Sequence, residues 1–388
     1  MKSPNTKFQS TSASALLDLV RGLAAIVVCI GHWRGLYFVD YAMLGAHRLL
    51  FAVPYILTGA GHQAVIIFFV LSGYLIGGSV FRSLGKGTWS WRQYLTHRLV
   101  RLWLVLVPAL LLGALIDAGG IHLHRAPALY AGQVPNHIVA NVKQDLNLTT
   151  FAGNILFLQG IYVHTFGSNG PLWSLANEFW YYILFPSAVL ALRPRSSVLI
   201  RVLSAALFTG VSFMVGKAIM LAFPIWLLGA ALALLPAPQL ALRWRIVIAV
   251  VYTPLFFYLA KTHLIGSTLS DYILGSATFV LLWSFLSARS PAGNPLWVRF
   301  ARSTAGFSYT LYLVHLPLLV FIASVTVGDS RWQPKSVHIL TALLILAVAI
   351  GYAWLVAFLT EFRTADVRRW VEARVVGTGA SRSIAAAS

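Results

Sequence analysis

The chain has 388 residues, a mean hydropathy of +0.78, 59% hydrophobic residues and only 10% charged ones. Soluble domains carry about a quarter charged residues, so a soluble fold is excluded and a polytopic membrane protein is expected. A formal charge of +19 would point to nucleic acid in a soluble protein; here it reads as topology and contact with the anionic headgroups of the lipid bilayer, with no nucleic-acid partner.

In chain order, residues 1–14 read as a short cytoplasmic tail without a cleavable signal. Ten apolar segments follow, each roughly 20 residues long as the hydrocarbon thickness requires. They lie at about 15–34, 62–80, 95–116, 172–192, 197–215, 218–235, 243–260, 268–287, 306–326 and 337–360. Residues 15–360 are therefore expected to form one all-α transmembrane helical bundle of about ten spans. An even number puts both termini on the same side. Twenty of the 29 Lys and Arg residues fall on that side and eight on the other, with Arg21 inside the first span; the positive-inside rule makes the richer side cytoplasmic. The long loop, about 117–171, carries His122, His124, His137 and His164. Its apolar stretch from Phe151 to Tyr162 is too short to span and reads as a re-entrant or interfacial segment. Residues 361–388 read as a cytoplasmic tail, rich in Gly, Ser and Ala after about 375. The single cysteine, Cys29, excludes an internal disulfide and a cysteine-rich metal site, and no metal is expected.

Several segments place ionisable or polar residues inside these spans. In RGLAAIVVCIGH, Arg21 and His32 are eleven residues apart, which on an α-helix is about three turns, roughly 16 Å, and within about 20° of one face. Both can line one cavity, and intramembrane ionisable groups are functional candidates by default. FFVLSGYLIGGS carries Ser72 with Gly73, Gly77 and Gly78, a pattern that also serves close helix packing. RLVR sets Arg98 and Arg101 one turn apart at the inner end of the third span, where anchoring to the lipid interface is the simpler role. PLWSLANEFWYY holds Trp173 and buries Glu178 about two turns below the outer surface. SYTLYLVHLP puts His315 near the middle of the ninth span, where a backbone carbonyl or a tyrosine could satisfy it.

Taken together and in order over about residues 15–326, RGLAAIVVCIGH, FFVLSGYLI, RLVRL, GPLWSLANE and SYTLYLVHLP resemble the acyltransferase-3 family of integral membrane O-acyltransferases, which includes bacterial O-antigen, exopolysaccharide and Nod-factor acetylases. The resemblance implies a multi-pass protein of the bacterial inner membrane. It also implies an acyl-CoA donor, with acetyl-CoA favoured, on the cytoplasmic side and an acceptor hydroxyl on a carbohydrate or glycolipid. Arg21 and His32 match the family's Arg-x10-His motif. Departures are AGHQAV before the second-span motif, which carries His62, Tyr74 in place of the usual Phe, and Phe179 and Trp180 after Glu178.

Thioester-to-hydroxyl transfer needs a base, and neutral imidazole suits that role. His32 is the candidate base and Glu178 the candidate carboxylate that orients it; Asp271 lies nearer the outer end. Arg21, Arg98 and Arg101 are candidates for the donor's phosphates, and Ser72, Trp173 and His315 for substrate contact. Two rivals share parts of this pattern. A transporter or flippase of a lipid-linked glycan would also hold intramembrane Arg, His and Glu, and a membrane acyltransferase of the MBOAT class also pairs a histidine with an acyl donor. The ordered motifs favour the acyltransferase-3 reading over both. Oligomeric state is not fixed by the sequence.

Overall fold

The computed structural model describes residues 11–134, 138–261, 266–288 and 295–375. His137 and the residues before 11 and after 375 lie outside the described residues. The described chain is helical, with two isolated bridges and no strand. The helices that build the bundle are α1 (Ser12–Tyr37), α2 (Gly61–Gly85), α3 (Trp91–Leu123), α4 (Leu148–Ile155), α5 (Trp173–Leu192), α6 (Val198–Leu232), α7 (Leu242–Leu259), α8 (Ser267–Phe285), α9 (Leu296–Gly306), α10 (Ser308–Thr326), α11 (Ser336–Leu359) and α12 (Thr364–Val375).

Eight helical stretches among the described residues are long and apolar enough to cross a membrane, against about ten expected spans. Two causes account for the difference. The first is α6, which counts once although Gly216 interrupts it with φ 75°, ψ 179°, a conformation open to glycine and costly for other residues. The chain reverses there. Arg201 Nε donates to the Ala191 carbonyl at the end of α5, Tyr181 donates to the Ile219 carbonyl just past the break, and Ala233 lies back beside Gly78 near the end of α2. A continuous helix of 35 residues would be about 52 Å long and could not return to the level at which it began. The second cause is α8, whose Ser267, Thr268, Ser270, Asp271, Ser276 and Thr278 lower its apolar character. It still packs into the bundle, with Tyr272 donating to the Leu221 carbonyl and Thr278 bonded to Tyr252.

Counting both halves of α6, the segments alternate in direction and return both described ends to one face. Ala13 N bonds to Ala288 O, and Glu361 accepts from Thr310 N and Oγ1 at the start of α10. Arg82, Arg98, Arg101, Arg193 and Arg201 belong to this basic face. Residues past 360, expected as a tail, instead begin with a turn and the helix α12, which docks on α3 through a His97–Glu372 pair. A pair with one partner on α3 explains why a polar helix stays folded against the bundle. On the opposite face the long loop is tied down by Asp117, which accepts from Ser168 N and Oγ, both at 2.8 Å. The expected re-entrant stretch forms α4 and a turn that dips into the bundle: Trp103 donates to Ile155 O, Trp180 donates to Phe157 O, and the Phe157 ring stacks on Phe179.

The tightest helix contact is between α2 and the second half of α6. A β-carbon on Gly73 would lie 2.0 Å from the Trp226 carbonyl oxygen, and one on Gly229 1.9 Å from that of Val70. In a bilayer, where helix association gains little from the hydrophobic effect, such backbone approach supplies the packing. Gly229→Leu should therefore lower the thermal unfolding midpoint in detergent by on the order of 5 °C or more. Gly210→Ala, at a position with nothing within 4 Å, should leave the midpoint unchanged.

Candidate active site

Two clefts enter the bundle from opposite ends. The inner one, about 830 Å³, opens among α1, α2, α3, α5 and α10 and brings together Arg21, Ser72, Arg98, Arg101, Glu178 and Tyr182. The outer one, about 1030 Å³, holds His32, Arg34, His62, Trp173 and Arg331. Val65 and Tyr312 line both, so these two side chains form the boundary at which the clefts meet.

His32 lies on the outer side of that boundary. Its Nδ1 is 2.9 Å from His315 Nε2, and His315 Nδ1 is 2.7 Å from the Leu311 carbonyl oxygen. A carbonyl can only accept, so the proton of neutral His315 sits on Nδ1 and its Nε2 offers a lone pair. His32 must then donate from Nδ1. The remaining nitrogen, His32 Nε2, keeps its lone pair and has no protein partner among the described residues. The sequence pattern sets up this relay: α1 and α10 run in parallel, with Tyr37 donating to Leu319 O farther along the same seam, and the i−4 carbonyl of α10 fixes the second ring.

Glu178 is not part of the relay. Expected to orient His32, it instead accepts from Ser72 Oγ at 3.1 Å and from the Tyr182 hydroxyl within the inner cleft. A carboxylate on α5, one turn from Tyr182, is satisfied locally before it can reach across to α1. His315, expected to touch substrate, is fully buried and lines neither cleft; it sits behind His32 and beside Tyr312. Trp173 stands at the outer cleft, stacked on His62, whose Nε2 contacts both Asp271 carboxylate oxygens at 2.9 and 3.0 Å. Ser72 falls on the inner side, accepting from Trp226 Nε1 while it donates to Glu178.

The three arginines do converge. Arg21 Nη2 pairs with Asp18 at 3.2 Å, and its Nε is buried without a hydrogen-bond partner. Arg98 Nη2 donates to Ser79, and its guanidinium lies between the rings of Tyr94 and Tyr182, 5.4 and 6.0 Å from their centroids. The inner cleft thus gathers cations, aromatic faces and a lone carboxylate, an environment fitted to an anionic ligand that also has an apolar portion. Sequence reasoning missed Tyr182, Tyr309 and Tyr312, all cleft-lining; in an apolar span a tyrosine reads as bulk, and only the fold shows which hydroxyls turn inward.

Comparison with known proteins identifies the family. A family model described as an acyltransferase domain matches residues 15–358. Among characterised proteins, one named as an O-acetyl transferase from Shigella phage Sf6 is 25% identical over 323 residues, covering 79% of this chain and 84% of the phage protein. No solved structure matches.

The relay makes a spectroscopic prediction. Two-bond proton–nitrogen spectra of histidine-labelled protein at neutral pH should show both His32 and His315 protonated at Nδ1, and His315→Ala should release that constraint on His32. An Nε2–H signal from either ring in the unaltered protein would contradict the assignment.

Proposed function

The chain belongs to the acyltransferase-3 family, and from that premise we propose that it moves an acetyl group from acetyl-CoA, bound from the cytoplasmic face of a bacterial inner membrane, to a hydroxyl of a carbohydrate or glycolipid at the outer face. The observation that carries this reading is the free Nε2 of His32 at the boundary of two opposed clefts. Basic residues crowd the inner face, which the positive-inside rule makes cytoplasmic, and the name of the phage relative favours acetyl among acyl groups.

In this reading the acceptor hydroxyl approaches from the outer cleft. Its proton passes to His32 Nε2 as the oxygen attacks the thioester carbonyl carbon. The carbon–sulfur bond then breaks, and the leaving thiolate takes the proton back from the imidazolium. One ester and one thiol replace one alcohol and one thioester. His315 is a positioning residue: by accepting from His32 Nδ1 it points the basic nitrogen at the cleft and fixes the tautomer. Arg21, Arg98 and Arg101 hold the donor's anionic part. The pantetheine arm is comparable in reach to the roughly 16 Å between Arg21 and His32 along α1, so one molecule spans both. Glu178 holds Ser72 and Tyr182 in the wall of the donor cleft, and the exposed Trp173 face offers a platform for a sugar ring.

Two sets of variants test the assignment, with acetyl transfer followed by the mass of the product glycan. His32→Ala should reduce turnover by about 10²- to 10⁴-fold with membrane insertion intact, whereas Glu178→Gln should act mainly through the concentration of acetyl-CoA required. Near-normal turnover of a well-inserted His32→Ala protein would falsify the base assignment. For the donor cations, Arg21→Lys keeps the charge but loses the planar fork and should raise the KM for acetyl-CoA, Arg21→Ala more so. Full activity of Arg21→Lys at every donor concentration would leave Arg21 as a membrane anchor only.

A further inference from the structure

The outer cleft is more cationic than its place in the membrane requires. The positive-inside rule keeps Lys and Arg away from the outer face, yet Arg34 and Arg331 both line this cleft and Lys261 Nζ lies against Gly59 in its wall. Arg331 is engaged by the protein: Nη1 and Nη2 hold the two Asp40 carboxylate oxygens at 2.9 and 2.7 Å, and Nη1 also donates to the Phe38 carbonyl. Arg34 differs. Its guanidinium lies over the Tyr55 ring, 5.1 Å from the centroid, its Nε is buried without a hydrogen-bond partner, and no carboxylate pairs with it among the described residues. The Tyr55 ring is itself fixed, because its hydroxyl donates to the Val39 carbonyl at 2.8 Å. A guanidinium laid on an aromatic face keeps its in-plane N–H edge for another partner, and a buried donor left unpaired marks a place where one binds. That edge suits an anion with two oxygens, a carboxylate or a phosphate, held by paired hydrogen bonds.

We infer that the acceptor bears a carboxylate or a phosphate close to the hydroxyl that is acetylated, and that Arg34 receives this anion. The inference rests on the acetyl-transfer reading above and narrows its acceptor from carbohydrate to acidic carbohydrate. Arg34 follows His32 by two residues on α1, a rise of about 3 Å toward the outer end, and both line the same cleft. An anion on Arg34 therefore sets the sugar that carries it, or the one next to it, against the free Nε2 of His32. Trp173, in the same cleft, takes the apolar face of the ring. Charge thus sorts the two substrates. The donor's anionic part goes to Arg21, Arg98 and Arg101 in the inner cleft and the acceptor's to Arg34 in the outer one. Water and neutral alcohols, which lack the anion, are held less well beside His32.

The test uses the full-length protein in lipid nanodiscs, acetyl-CoA as donor, and the surface glycan of a strain lacking the protein as acceptor. The glycan is supplied in three forms: as extracted, with its carboxylates reduced to alcohols, and with its phosphates removed by cold hydrofluoric acid. One of the two neutralised forms should lose about tenfold or more in kcat/KM against the intact form, and which one does so tells carboxylate from phosphate. Arg34→Gln should raise the KM for the intact acceptor by a similar factor, change the KM for acetyl-CoA by less than about twofold, and erase the difference between intact and neutralised forms. Arg34→Lys, which keeps the charge without the fork, should retain part of that difference. Each ratio is taken on one protein preparation, so a partly unfolded variant does not distort it. Equal transfer to all three forms by the unaltered protein, or an Arg34→Gln protein that still discriminates among them, would overturn the anion site and leave Arg34 with a packing or lipid-headgroup role, the acetyl-transfer reading still standing. No transfer from acetyl-CoA to the intact glycan by the unaltered protein would overturn both.

Discussion

Inside hydrocarbon an imidazole has no water to bond to, and each of its nitrogens must be satisfied by the protein or left free at a cost. The relay from the Leu311 carbonyl through His315 to His32 meets that constraint for three of four ring nitrogens and leaves the fourth open on a cleft. Its geometry depends on α1 and α10 running side by side in fixed register. That register is held above by Tyr37 on Leu319 O and below by α9, where Gly22 lets Thr304 approach closely. A rotation of either helix would break the relay before it exposed much apolar surface, so the polar chain discriminates among packings that dispersion forces alone would tolerate.

The same constraint explains how carboxylates are distributed. Asp117 is consumed by the long loop through Ser168, Glu361 by the start of α10 through Thr310, and Asp271 by His62. Each acid fastens a loop or a helix end to the bundle. Among the described residues Glu178 is the carboxylate that faces the arginine-lined cleft, bonded to the hydroxyls of Ser72 and Tyr182. Of the three arginines lining that cleft, Arg21 is paired with Asp18.

Much of the fold was legible because membrane crossing writes itself in long apolar runs and in where arginine falls. The division of Val198–Leu232 was readable from Lys217, which cannot sit comfortably at mid-bilayer, and Gly216 is where the backbone turns. Helical periodicity put Arg21 and His32 on one face and so in one cavity, whereas Arg21 lines the inner cleft and His32 the outer one, because Val65 and Tyr312 stand where the two clefts meet. What periodicity does not carry is which distant helix becomes a neighbour. His32 and His315 are 283 positions apart, and no local pattern says that a histidine on α10 meets α1 while a glutamate on α5 turns away. Nor does local pattern show that residues past 360 dock, because α12 is polar and its attachment depends on His97 of another helix.

The boundary at Val65 and Tyr312 bears on bioenergetics. A continuous water column with an imidazole at its midpoint would conduct protons, and each charge crossing the membrane carries about 2.3 kcal/mol per 100 mV. Val65 and Tyr312 stand where the two clefts meet. In the proposed reaction an acetyl group passes outward and a hydrogen passes inward, so the net charge moved is zero. The equilibrium of such an exchange is blind to the membrane voltage, and a cell whose gradient has collapsed could still decorate its surface as long as thioester is made inside.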